Sequence, residues 1–281
     1  MATGTITTIP DGVKLRYSQE GPSSGPNLVF IPGWAQTAAQ FKKQVEHFKT
    51  KYRVTTYDHR GHGDSEKPAH GYRVTRLAAD LENLLVQLDL RDVTLIGHSM
   101  GSSVIWAHWD LYAHDRIAKV VLVDQPSAMT ANPAWSPAQI AEAGAVFSEA
   151  QKFEVANALR SPQWKDMWVG MAKGFFTPDF DAADFEWMLQ MSTKQPPEIG
   201  AAMILNHASM DWRDVIPLIN VPTLVVGGKA SLVPPQAVEW IAKQIPGARL
   251  EIFEKEERGS HFMFWENPEK FNRILDEFLS T

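Results

Sequence analysis

The 281-residue chain contains no cysteine. Disulfides, thiolate metal sites and cysteine nucleophiles are excluded with it. No apolar run is long enough to cross a bilayer, and no basic run is present. The start, Met1-Ala2-Thr3-Gly4-Thr5, has neither the charged nor the apolar region of a secretory signal. Lys+Arg number 27 against 33 Asp+Glu, giving a formal net charge of −6 and a pI near 5.9. That balance argues against nucleic-acid or membrane partners and leaves the cytoplasm as the expected location. What the chain has is core-forming material: 44% hydrophobic residues, with 10 Trp and 14 Phe. Its length suits one large domain or two small ones, and its composition is that of a globular protein.

Short alternating runs at Thr5–Ile9 and Val13–Gln19, separated by Pro10-Asp11-Gly12, predict a β-hairpin. Asn27–Ile31 is almost continuously apolar, as a strand buried on both faces is. A helix through Phe41–Phe48 and a strand at Tyr52–Tyr57 follow. Leu77, Leu81, Leu84, Leu85 and Leu88 recur at helical spacing over Arg76–Leu88. Strand, helix from Ser102 and strand (Lys119–Val123) come next, and this alternation predicts a mostly parallel sheet with helices on both faces. The alternation then stops. From 127 to about 215 the pattern is helical and broken by prolines, and the stretch to Leu218 holds seven of the ten methionines and five of the ten tryptophans. Alternation resumes at Thr223 and runs to a last helix, Pro268–Leu279. The expected organisation is an α/β core formed by 1–126 and 216–281, with 127–215 inserted as a helical lid.

Val93-Thr94-Leu95-Ile96-Gly97-His98-Ser99-Met100-Gly101 is the stretch with a chemical signature. A β-branched, apolar run ends in Gly-x-Ser-x-Gly and passes into a helical pattern, the order of a nucleophile elbow. The glycines let neighbouring backbone pass close to a sharp turn. Ser99 is lifted from the sheet, and the Met100 N–H and the positive end of the helix aim at the same point.

With Pro32-Gly33-Trp34, Asp58-x-Arg60-Gly61-x-Gly63-x-Ser65, Gly97-His98-Ser99-Met100-Gly101, Val221-Pro222-Thr223-Leu224 and Gly259-Ser260-His261-Phe262, the chain resembles the α/β-hydrolase fold superfamily over nearly its full length. The resemblance implies a Ser99 nucleophile and His261 as its base, in the loop between the last strand and the last helix. It implies N–H groups of Trp34 and Met100 as an oxyanion hole. Many relatives carry an acid just after the Val-Pro-Thr-Leu strand, but here the segment reads Gly227-Gly228-Lys229-Ala230-Ser231-Leu232-Val233-Pro234 and has no carboxylate. A serine base needs a negatively charged orienting partner. Asp124, at the carboxyl end of the strand after the elbow helix, occupies the other position the fold offers and is expected to be that acid. His98 flanks the nucleophile and is expected to shape the pocket or pack. His59 and His62 lack an accompanying carboxylate cluster, so no metal is expected, and no cofactor is implied.

The lid is expected to supply an apolar pocket wall from Trp135, Phe147, Trp164, Met167, Trp168, Met171, Phe175, Phe176, Trp187, Met188 and Met191, with Trp34, His98 and Phe262 from the core. Such a wall suits a small hydrophobic substrate, aromatic or alicyclic. The leading expectation is a serine hydrolase of a small ester or lactone. The chain is also similar to cofactor-independent dioxygenases of 3-hydroxy-4-oxoquinolines at Pro32-Gly33-Trp34, at Asp124 and around His261. It departs from them at Met100, where they tend to carry histidine. That resemblance implies a His261–Asp124 base dyad, with Ser99 reduced to a hydrogen-bonding spectator. A non-catalytic small-molecule binding protein is the third reading, disfavoured by the complete Ser/His/Asp set. Oligomeric state is not readable from the sequence.

Overall fold

The computed structural model describes residues 2–281. Eight strands form one sheet: β1 (Ala2–Thr7), β2 (Lys14–Glu20), β3 (Asn27–Ile31), β4 (Arg53–Tyr57), β5 (Val93–His98), β6 (Ile117–Val123), β7 (Thr223–Gly228) and β8 (Arg249–Phe253). Their spatial order is β1-β2-β4-β3-β5-β6-β7-β8. The β1–β2 and β2–β4 pairs are antiparallel, and the remaining five pairs are parallel. The sheet is therefore the mostly parallel α/β sheet that the alternating pattern predicts, and β5 lies near its centre, buried along its whole length.

Three helices precede β6: α1 (Lys42–Phe48), α2 (Val74–Gln87) and α3 (Met100–Leu111). Five lie between β6 and β7: α4 (Pro137–Ala143), α5 (Glu149–Leu159), α6 (Trp164–Lys173), α7 (Ala182–Ser192) and α8 (Pro197–Ala208). α9 (Pro235–Gln244), α10 (Met263–Glu266) and α11 (Pro268–Leu279) complete the chain. Sequence chemistry accounts for several boundaries. Ser136 and Ser148 cap α4 and α5 through capping boxes with Gln139 and Gln151, and Gly144 ends α4 in the left-handed region. α2 buries Leu77, Leu81, Leu84 and Leu85 against one side of the sheet, while α11 buries Phe271, Ile274, Leu275 and Phe278 in the cluster on the other. The two faces of the sheet thus carry separate apolar clusters, as a doubly covered sheet must.

The Asp58–Ser65 loop is a brace. The Asp58 carboxylate accepts the backbone N–H groups of Ala38 (2.7 Å) and Asp64 (2.8 Å). Arg60, fully buried, grips Asp80 with two bonds of 2.6 and 2.7 Å and Asp11 with a third of 2.7 Å. His59 donates from Nε2 to the Pro32 carbonyl (2.9 Å), just before the Gly33-Trp34 turn. His62 accepts at Nε2 from Gln195 (2.6 Å). No group of three or more potential metal-binding side chains occurs among the described residues, nor is any helix long and apolar enough to cross a membrane.

Candidate active site

The elbow is built at the β5–α3 junction. Ser99 sits at φ 53°, ψ −127°, a conformation that L residues rarely adopt. Close packing holds it there: a Cβ on Gly101 would collide with the Ile31 carbonyl oxygen of β3. Ala35 (φ 55°) and Asp124 (φ 52°) share the left-handed region. Three of the six non-glycine residues with positive φ among the described residues thus lie in the Gly33-Trp34 turn, at Ser99 and at Asp124. At about 1–3 kcal/mol each, such conformations persist only where the surroundings fix them.

The Asp124 carboxylate is fully buried at the end of β6. Its Oδ2 lies 2.5 Å from His261 Nδ1 and accepts a second 2.5 Å bond from the Ser231 hydroxyl. Burial raises the Asp124 pKa above the ordinary carboxylate value, and the bonds from His261 and Ser231 oppose that rise. The vacant acid position after β7 is therefore filled by a hydroxyl that serves the carboxylate of β6. Asp211, by contrast, pairs with Arg213 at the surface.

Ser99 and His261 line the same cavity, of about 690 Å³. No hydrogen bond joins the Ser99 hydroxyl to His261 among the described residues, whereas the His261–Asp124 bond is formed. Among the described residues, neither the Trp34 nor the Met100 backbone N–H donates to another protein group. A Cβ on Gly33 would lie 2.9 Å from the Ser99 Cβ, so the absence of a side chain is what lets this turn approach the serine. Chemically, the arrangement offers a hydroxyl, a base oriented by a carboxylate, and two free backbone donors at one end of an apolar space.

A second polar chain holds these parts in register. Gln36 Oε1 accepts the Gly33 N–H (2.6 Å), and Gln36 Nε2 donates to His98 Nδ1 (2.8 Å). His98 Nε2 donates to the His261 carbonyl (2.7 Å). Burial, followed by the neighbouring His261, pulls the His98 pKa well below normal, so the ring stays neutral and has one donor and one acceptor to place. His98 does not line the cavity, which corrects the expectation that it shapes the pocket. On a strand, successive side chains leave opposite faces, and His98 ties the turn to the base loop from behind.

Of the other expected wall residues, Trp34, Trp168, Phe262, Phe147, Met171, Phe175, Phe176 and Met188 line the cavity. Trp135, Trp164, Met167, Trp187 and Met191 do not, and helical phase explains much of the split. Phe185, Met188, Leu189 and Ser192 form the cavity stripe of α7. Trp187 falls off that stripe and stacks on Trp265, with centroids 5.0 Å apart. Trp164 lies one turn before Trp168 and packs inside the helical layer. Trp135 precedes α4 and sits under the Arg213 guanidinium, 4.1 Å away. Gln36, Gln40, Gln125 and His207 also line the space and were not foreseen. Gln36, two residues after Trp34, is the one whose position in a motif could have signalled it.

A family model described as alpha/beta hydrolase fold matches residues 26–268. The non-heme chloroperoxidase CPO-A1 of Kitasatospora aureofaciens is 32% identical, over 98% of this chain and 99% of that one. 3-Oxoadipate enol-lactonase 2 of Acinetobacter baylyi is 28% identical, over 96% and 94% respectively. The solved esterase EaEST of Exiguobacterium antarcticum superposes with a TM-score of 0.89 at 26% identity, with both chains fully covered.

Proposed function

The chain belongs to the alpha/beta hydrolase fold family, and from that premise we propose that it is a serine hydrolase of a small, uncharged, hydrophobic ester or lactone. One observation carries the reading: Ser99 and His261 open onto one apolar cavity beside two unpaired backbone donors. The Ser99 oxygen attacks the acyl carbon as His261 Nε2 takes its proton. Asp124 holds the His261 tautomer, and the Trp34 and Met100 N–H groups receive the oxyanion. His261 returns the proton to the leaving alcohol, and water then releases the acyl group by the same route. Among the described residues no Asp, Glu, Lys or Arg lines the cavity, which supports a neutral ligand. Trp34, Trp168, Phe175 and Phe262 support one with an aromatic or alicyclic body.

Ser99→Ala removes the reacting atom and should lower turnover by about 10⁵-fold or more. A fluorophosphonate should add to Ser99 in the wild type and leave the variant unlabelled. One observation favours a second reading: His261 is bonded to Asp124 but not to Ser99. In that reading the dyad deprotonates a hydroxylated ring that then reacts with O2. Activity that survived Ser99→Ala but stopped under nitrogen would establish it and overturn the hydrolase.

A further inference from the structure

His207 stands in an unusual position on the cavity wall. It follows Ile204 by three residues on α8, and both side chains line the cavity. Only 2% of the residue is exposed, its Nδ1 has no partner, and no hydrogen bond is made by either ring nitrogen among the described residues. Three other polar side chains of the wall, Gln36, Gln40 and Ser192, have partners within the protein. Gln36 joins Gly33 to His98, Gln40 holds Thr37 and Met188, and Ser192 accepts from Trp168. Burial depresses the His207 pKa to about 3, so the ring is neutral. A neutral imidazole carries one proton, and an unpaired buried acceptor is tolerated better than an unpaired donor. The buried, partnerless Nδ1 is then the bare nitrogen, and Nε2 carries the hydrogen.

We propose that His207 is a ligand-recognition residue, whose Nε2–H is reserved for a hydrogen-bond acceptor on the substrate remote from the scissile acyl group. This deepens the hydrolase reading and rests on it for the identity of the reacting end. The substrate class is an apolar ester or lactone bearing a second, neutral oxygen: a ketone, ring ether or further ester carbonyl. A carboxylate is disfavoured in this role, because no Lys or Arg lines the wall among the described residues. A plain hydrocarbon chain leaves the imidazole dry and unpaired, which disfavours its binding relative to the oxygenated analogue.

The test compares p-nitrophenyl esters of straight-chain acids with those of oxo-acids of equal length, the ketone being moved along the chain. The wild type is expected to prefer one oxo-ester over its hydrocarbon match by about tenfold or more in kcat/KM. His207→Leu should erase or invert that preference, and His207→Gln, which keeps a donor, should retain part of it. Wild-type indifference to the ketone at every position, or a preference unchanged in His207→Leu, would overturn the proposal. Binding of the same ketone and alkane pairs to Ser99→Ala, read by fluorescence of Trp34 and Trp168, needs no turnover. A ketone preference there that His207→Leu abolishes upholds the His207 site even if no ester is ever cleaved, and its absence refutes the site while leaving the hydrolase reading intact.

Discussion

The cavity has two walls of different construction. On the sheet side, β5 and β7 are buried at every position, and ten of the twelve residues of α3 are buried. The polar atoms there form connected chains, from Gly33 through Gln36 and His98 to His261, and from His261 to Asp124 and Ser231. On the helical side, α5 buries three of eleven residues, α6 two of ten and α7 two of eleven. Its contribution is a half-buried layer of Trp, Phe and Met side chains packed about a small cluster. The layer is fastened to the sheet at a few points, among them Trp34, whose Nε1 donates to the Gly200 carbonyl (3.0 Å) and whose ring meets Trp168 edge-on. Precise hydrogen-bond geometry is thus concentrated where a reaction would need it, and soft, adaptable surface where a ligand's shape must be met.

The sharpest way to test this division is on the sheet side. Asp124→Asn keeps the volume but removes the charge, and should lower turnover by about 10⁴-fold with the fold retained. Asp211→Asn, which breaks only the surface pair with Arg213, should change turnover little, and the reverse result would reassign the acid. A smaller effect is expected from Ser231→Ala. Losing this donor removes one of the bonds that hold Asp124 ionised against its burial, so its pKa rises further. The acid limb of the kcat/KM profile should therefore move to higher pH, with about a tenfold loss near neutrality. A profile left in place would confine Ser231 to packing. The mildest test falls on the helical wall. Trp168→Ala should move preference toward bulkier esters several-fold, with the far-UV spectrum little changed. An unchanged size preference would mean that the helical wall does not select the ligand.

The same division decided what could be read in advance. The elbow, the His261 loop and the alternation of strand and helix follow from local chemistry: glycines where backbones touch, β-branched runs, a serine between strand and helix. The sequence also singled out Asp124, because Ser231 cannot supply a charge and Asp124 ends a buried strand, and the structure places its carboxylate against His261. The wall residues were legible only as a group. A list of aromatics contains no phase, and a rotation of about 100° per residue separates Met188, in the cavity, from Trp187, against Trp265. His98 was left between pocket and packing for a related reason: proximity to the serine in sequence did not reveal which face its side chain leaves. His207 carries no motif at all, and only the packing of α8 makes it notable.

The buried histidines around this site have a consequence for the whole chain. His59, His62, His98 and His207 are all buried, and burial depresses their pKa values, to about 3 for His59 and His207, about 4 for His62 and well below normal for His98. In the unfolded chain each would titrate near 6.5, so below that pH the unfolded state binds more protons than the native one, and stability falls as the pH falls. Each such histidine contributes about 1.4 kcal/mol per pH unit over this window. Four together amount to ~5 kcal/mol by pH 5.5, comparable with the lower end of the roughly 5–15 kcal/mol that holds a typical domain. The urea midpoint should therefore drop steeply between pH 7.5 and 5.5, with unfolding at the lower pH taking up several protons per molecule. The loss falls well above the range in which exposed carboxylates titrate, so the acid sensitivity of the fold is set by its buried imidazoles rather than by its surface.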